Sequence, residues 1–380
     1  MARYQTVHSS LQLAQTLFMP AGGSRAAVVG EELLDWLNQT WIEPRTEEGL
    51  ALSALVEPWN DSNFWPYLTR SILRGHTGSA CIFVAKLEEH PSPYLQHLAI
   101  GLGRLVKNHP RSTNFADDNE FFSAWREWRV HVTLIRTEFD NLPSNEGRGS
   151  WRAPLSELVS ILQGDEEALL RVCKDTEAGW REALCLWGVW RESPLRRDDL
   201  PALLQNTILP AIPPDVDVAE EMLHLALFEV DLGKAVELAT AIDIWLAAHM
   251  IDLLAPLNVL DDMSEHDNTT ALRDYLVMSY AEYLRTDPHL WRITADYMYA
   301  CGAVGEQSAD QVLLAVPLQG HTFAEPATGS SMELDTVLGA NGDIIAAFEA
   351  LSAICREHKR EHVRRRICRV RQQPFFVTCI

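Results

Sequence analysis

Strand-forming material is scarce in this chain: no β-branched runs alternate with polar residues between hairpin turns of the Asn-Gly type. That scarcity argues against a sheet-based fold. Recognisable catalytic signatures are missing as well, with no P-loop, no GxGxxG after a strand, no HExxH and no GxSxG nucleophile elbow. Positive charge is in deficit. The 32 Lys and Arg are outnumbered by 53 Asp and Glu, for a formal charge of −21. Phosphate contact needs a basic face, so the balance speaks against a general nucleic-acid binder. It speaks equally against attachment to an anionic bilayer. The seven cysteines (81, 173, 185, 301, 355, 368 and 379) are odd in number and scattered. That pattern suits reduced thiols in a cytosolic or nuclear compartment better than a disulfide framework. The opening MARYQTVHSS lacks the charged and apolar regions of a secretory signal. The most apolar long window, 242–260, carries Asp243, His249, Asp252 and Pro256, so no membrane insertion is expected.

What the chain has instead is helical periodicity, laid out three times to one design. Residues 65–87 (WPYLTRSILRGHTGSACIFVAKL), 155–176 (LSELVSILQGDEEALLRVCKDT) and 223–242 (LHLALFEVDLGKAVELATAI) each read as helix, short turn and second helix. Leu155, Leu158, Val159 and Leu162 recur at i, i+3, i+4 and i+7, one face of an α-helix, and so do Leu223, Ala226, Leu227 and Val230. Ala80, Phe83, Val84 and Leu87 keep the stripe in a second helix. The hairpin turns are assigned to Gly75, Gly164 and Gly233, where glycine accepts the dihedrals that end a helix. Such a unit cannot bury its face alone, so copies stack. The expected fold is all-α, with stacked helical hairpins in a single elongated array over 1–370. Helical signals begin at Leu11, loops fall near 141–150, 210–217 and 318–342, and a tail of different character occupies 371–380.

Few constellations invite a chemical reading. Asp261, Asp262 and Glu265 form a DDxxE cluster, of the kind that holds magnesium and a diphosphate in helical isoprenoid cyclases. No second metal motif follows, and the cluster lies in a polar stretch, so a solvated interhelical turn is expected. Cys355, His358, His362 and Cys368 have the look of a zinc quartet. Arg and Lys surround them, and the cysteines fit better as apolar-stripe residues. The expected sets of catalytic, cofactor and metal residues are therefore empty. His249, between Ala248 and Met250, reads as a satisfied core residue. The 12 tryptophans read as packing groups, because no basic stripe interleaves with them. Between residues 356 and 371 there are eight basic and two acidic residues, a net of +6, which leaves −27 for the rest. Such a block reads as a solvated helix face or, less commonly, a docking patch for an acidic partner.

The segments MLHLALFEVDLGKAVELATAIDIWLAAHMIDLL (222–254) and LRDYLVMSYAEYLRTDPHLWRITADYMYAC (272–301) resemble the nucleoporin eighty-five family, also called Frount. LLDWLNQTW, FWPYLTRSILRG, WREWRVHV, ILQGDEEALL and ALSAICREHKREHVRRRIC are similar to the same family in the same order, so the resemblance covers roughly residues 11–370. It implies a folded-back α-solenoid of the ancestral coatomer type, with crown and trunk. It also implies a scaffold role in the Y-shaped subcomplex of the nuclear pore, at the nuclear envelope, supporting pore assembly, nucleocytoplasmic transport and mRNA export. The implied partners are the Seh-one WD-repeat propeller and the hub proteins of the Y, without direct nucleic-acid contact. The family begins with a β-rich segment and continues through further helices, whereas this chain is expected to be truncated at both ends and to self-associate there. Two other readings compete with the scaffold. One is a helical adaptor that binds peptides or acidic partners transiently; the other is a magnesium-dependent enzyme at Asp261, Asp262 and Glu265.

Overall fold

The computed structural model describes residues 2–20, 27–257, 268–316 and 333–372. The periodicity resolves into helices, and the extended pairing among the described residues is one antiparallel bridge between Val28 and Arg196. The fold is all-α. Two compact units form, Met1–Leu238 and Ala239–Ile380.

The first unit opens with α1 (Ala2–Phe18), α2 (Gly30–Thr40) and α3 (Thr46–Ser53). There follow α4 (Phe64–Leu73) with α5 (Thr77–Leu87), α6 (Pro93–Lys107) with α7 (Asp118–Asp140), and α8 (Arg152–Leu162) with α9 (Glu166–Lys174). Next, α10 (Trp180–Leu186) widens into a π-turn over Trp187–Arg191, and α11 (Leu200–Leu203) and α12 (Leu209–Ala211) flank another at Leu204–Ile208. The unit ends with α13 (Ala219–Phe228) and runs into α14 (Leu232–Ile242), which crosses the boundary. Consecutive helices from α4 to α10 pack on each other, and then the chain returns: α2 meets α10, and α1 meets α13. Trp36, Trp180 and Phe228 are buried where these helices meet, with edge-to-face rings 5.8 Å apart.

Helix–turn–helix pairs form over all three repeats, and one hydrogen-bond device closes them all. After α4, Gly75 N donates to Ile72 O and His76 N to Ser71 O; after α8, Gly164 N donates to Ile161 O and Asp165 N to Ser160 O. After α13 the same pair joins Val230 to Leu227 and Asp231 to Ala226. This is the Schellman closure, which uses up carbonyls a helix end leaves unpaired and needs one residue in the left-handed region. Gly75 and Gly164 supply it at φ 72° and 77°, but in the third hairpin Val230 does, at φ 62°. The expected stripe therefore ends at Leu227. Val230 lies beyond the helix and is 45% exposed, while Gly233 sits inside the first turn of α14. The next helix then starts on an aspartate: Asp165 accepts from Ala168 N at 2.7 Å and Asp231 from Lys234 N at 3.0 Å.

α1 begins at Ala2, nine residues before the apolar signal at Leu11. Its early inward face is polar, since Ser9 and Ser10 are buried, so hydrophobic periodicity cannot detect it. The second unit comprises α15 (Ile244–Leu254), α16 (Asn268–Leu284), α17 (Trp291–Tyr299), α18 (Gly302–Ala315), α19 (Glu333–Glu357) and α20 (Glu361–Gln372). Neighbours pack in order from α15 to α18, and α20 lies against both α19 and α18. At Gly305 a Cβ would fall 1.8 Å from Met298 O, so α17 and α18 approach as only glycine permits. The apolar core gathers Ala295, Met298, Leu313, Leu351, Ile354, Val363 and Ile367. Residues 333–342, expected within a loop, lie in α19; the rest of that stretch falls outside the described residues. No described helix is long and apolar enough to cross a membrane.

Candidate functional site

Buried charges in the first unit are spent on holding helices to one another. Arg74, the C-cap of α4, is enclosed with Glu182 of α10, their side chains 0% and 3% exposed. Its Nε donates to Glu182 Oε1 at 2.7 Å, and its Nη1 to Trp41 O at 3.0 Å and Asn38 Oδ1 at 3.3 Å. Asn38 Nδ2 donates back to Arg74 O at 2.9 Å. One guanidinium thus ties the end of α4 to α2 and α10. Cys173 and Cys185 are buried nearby, and burial raises both thiols far above their ordinary range, which makes them inert packing groups. Arg181 pairs with Glu221 at 3.1 Å and lies over Trp41, and Arg197 pairs with Glu32 at 2.5 Å.

The return of α13 to α1 is built on a histidine. His224 is fully buried, its Nε2 3.3 Å from Ser9 Oγ and 3.1 Å from Ser10 Oγ. Trp36 and Trp41 meet its ring edge-on, and Trp36 Nε1 donates to Ser9 O at 2.9 Å. Glu220 accepts from the Ser9 hydroxyl at 2.9 Å. Burial, aided by Arg181, drives the His224 pKa well below the ordinary imidazole value, so the ring is neutral. A second histidine, His109, is wedged against Trp128 and Trp190; burial and then Arg111 push it down to about 3.

Arginines also cap helix ends. Arg129 donates to Trp190 O at 2.9 Å, to Leu162 O at 3.3 Å and to Gln163 O, while Arg191 donates to Gly164 O at 2.6 Å. Two guanidinium groups therefore satisfy the carbonyls around the α8–α9 turn. Elsewhere Gly30 faces Gly188: a Cβ on Gly30 would lie 2.5 Å from Gly188 O, and one on Gly188 would lie 2.8 Å from Gly30 Cα.

The residues singled out for chemistry are placed as follows. Asp261, Asp262 and Glu265 lie outside the described residues. Of the quartet, Cys355 is buried in the apolar core, His358 stacks on Tyr299 at 4.1 Å, His362 lies 3.1 Å from Asp310 Oδ2, and Cys368 is half-buried. Burial raises the Cys355 thiol to about 11. No group of three or more His, Cys, Asp or Glu side chains converges as a metal site among the described residues. His249 is held on both nitrogens, Nδ1 2.7 Å from Trp245 O and Nε2 2.7 Å from Tyr297 OH, and its ring stacks on Trp245. Trp36, Trp65, Trp128, Trp151, Trp180, Trp187 and Trp190 are buried packing groups.

Sequence reasoning missed Arg74, Glu182, His224 and the Gly30–Gly188 contact. Each joins elements far apart in the chain, and none leaves a periodic trace. Arg74 could have been noticed as a charge directly beside an apolar run.

A family model described as Nup85 Nucleoporin matches residues 1–328. Nucleoporin nup85 of Schizosaccharomyces pombe is 22% identical over 370 residues, covering 93% of this chain and 52% of the relative. Nuclear pore complex protein Nup85 of Danio rerio is 25% identical over 314 residues, covering 80% and 46%. Its human namesake is 26% identical over 309 residues, covering 77% and 44%. The chain spans about half the length of the curated relatives it matches. With the family model extending over most of the residues and through all three hairpins, this chain belongs to the Nup85 nucleoporin family.

Proposed function

We propose that this chain is a structural scaffold element of the nuclear pore complex at the nuclear envelope, working within the Y-shaped subcomplex and carrying out no catalysis. The observation that supports this reading is the use of the buried charges. Arg74, Arg181, Arg197 and Glu182 all tie one helix to another, as a static support requires, rather than converging on a reacting group. The family membership supplies the cellular setting. The partners proposed are the Seh-one propeller and the hub proteins of the Y, met along helical surfaces without direct contact to nucleic acid. Nucleocytoplasmic transport and mRNA export depend on the assembly and follow from it. A continuous helical array over 1–370 belongs to the same proposal.

Co-purification of the chain with Seh-one and, separately, with the hub proteins tests the reading. Retention of either partner at constant stoichiometry through size exclusion is the expected result. A chain that is helical by circular dichroism and retains neither would overturn it.

A further inference from the structure

α20 is the most cationic element of an acidic protein. Val363 and Ile367 are buried in the core of the second unit. On another face His362, Arg365, Arg366 and Arg369 recur at i, i+3, i+4 and i+7, all exposed. Arg364 and Arg365 share Glu361 at 2.9 and 3.5 Å, whereas Arg366 and Arg369 reach no carboxylate among the described residues. Like charges at i and i+4, such as Arg365 and Arg369, weaken a helix. For Arg366 and Arg369 that repulsion is offset by no carboxylate among the described residues. The mounting of the stripe, in contrast, is firm. Arg360 donates to Asp310 Oδ1 at 2.9 Å and Oδ2 at 2.5 Å and pairs with Glu306 at 2.6 Å, pinning the start of α20 to α18. Lys359, at φ 58°, closes the α19–α20 turn with the bonds seen in the three hairpins: Lys359 N to Arg356 O and Arg360 N to Cys355 O. The stripe is held in place rather than left on a loose end.

We propose that this stripe is a docking face for an acidic segment of a partner protein, with carboxylates at helical spacing meeting Arg365, Arg366 and Arg369. Guanidinium groups suit carboxylates because their planar forks match both oxygens. Charge complementarity selects this occupant over others. An anionic bilayer would be repelled by the −27 carried outside residues 356–371, and Val363 and Ile367 of α20 are buried in the core rather than free to insert. Nucleic acid would meet the same field, and no Phe, Tyr or Trp interleaves with Arg365, Arg366 and Arg369. The docking face stands independently of the pore-scaffold reading, since it rests on the charge and mounting of α20 alone.

The test is fluorescence anisotropy of a short labelled polyglutamate peptide titrated with the full chain at low and at physiological salt. Saturable binding that weakens as salt rises is expected. The R365E/R366E/R369E variant should lower affinity about tenfold or more, as three reversed exposed pairs imply. A control triple of equal charge change, K86E/K107E/K234E, should leave affinity within about twofold on the same scale. Circular dichroism and thermal melting would verify that both variants fold. Equal losses from the two triples would reduce the effect to net charge and overturn the proposal, as would the absence of saturable binding. Tighter, stripe-dependent capture of phosphatidylserine vesicles or single-stranded DNA would also overturn it, in favour of a membrane or nucleic-acid face. Concentration-dependent dimerisation abolished by the α20 triple would overturn it in favour of a second copy.

Discussion

Val230 holds a conformation that suits it poorly: a β-branched residue at φ 62°, closing a hairpin whose two sister turns use glycine. Val230→Gly removes that strain and loses no buried side chain, since Val230 is 45% exposed. Stability should rise by about 1 kcal/mol in urea denaturation, and an unchanged or lower midpoint would contradict the account. Glu182 illustrates the opposite situation. Glu182→Leu strands the Arg74 guanidinium in a dry interior, for an expected loss of about 3–5 kcal/mol, whereas R74M/E182L together should recover most of it. If the double variant is no better than the single one, the pair is not the unit that matters. Gly188→Ala drives a methyl against the backbone of Gly30 and should cost about 1–3 kcal/mol.

Helices in this protein are joined by two devices. Schellman closures turn the chain, and charged side chains fasten the turned helices to partners distant in sequence. α20 combines both, with Lys359 at its turn and Arg360 clamped to Asp310 and Glu306. Arg360→Ala removes the clamp while leaving Val363 and Ile367 to hold the helix. Amide exchange in α20 should accelerate, with little change in α16 and α17. Uniform acceleration across the second unit would mean that Arg360 supports the whole core rather than one element.

For the whole molecule, buried neutral histidines set a direction for the pH dependence. In the folded chain burial pushes His109 down to about 3 and His224 well below its ordinary value, while the unfolded chain takes up protons at about 6.5. Below that value the unfolded state binds more protons, so folding stability falls as pH falls. Thermal melts in stepwise buffers from neutral to mildly acidic pH should show a declining midpoint, less steep in H224Q, which keeps a polar ring-sized group beside Ser9 and Ser10. A flat profile would show that neither ring stays neutral on folding.

Much of the architecture was open to a reader of the chain alone. Stripes such as Leu155, Leu158, Val159 and Leu162 specify helices because apolar area drives burial and helical geometry dictates the spacing. Glycines at the ends of apolar stripes, as at Gly75 and Gly164, announce a turn by backbone sterics, a local effect. Where locality ends, so does legibility. The early part of α1 was hidden because its inward residues, Ser9 and Ser10, are polar and face His224, more than two hundred residues away. The third turn shifted from Gly233 to Val230 because closure is decided by where α13 stops packing, and a valine is carried into the left-handed region with it. By itself the sequence determined most of the helices and turns and, through ordered patches of resemblance, the family. Tertiary structure alone decided which helices meet and which charges are buried between them. Those outcomes depend on long-range packing and desolvation, to which no window of neighbouring residues is sensitive.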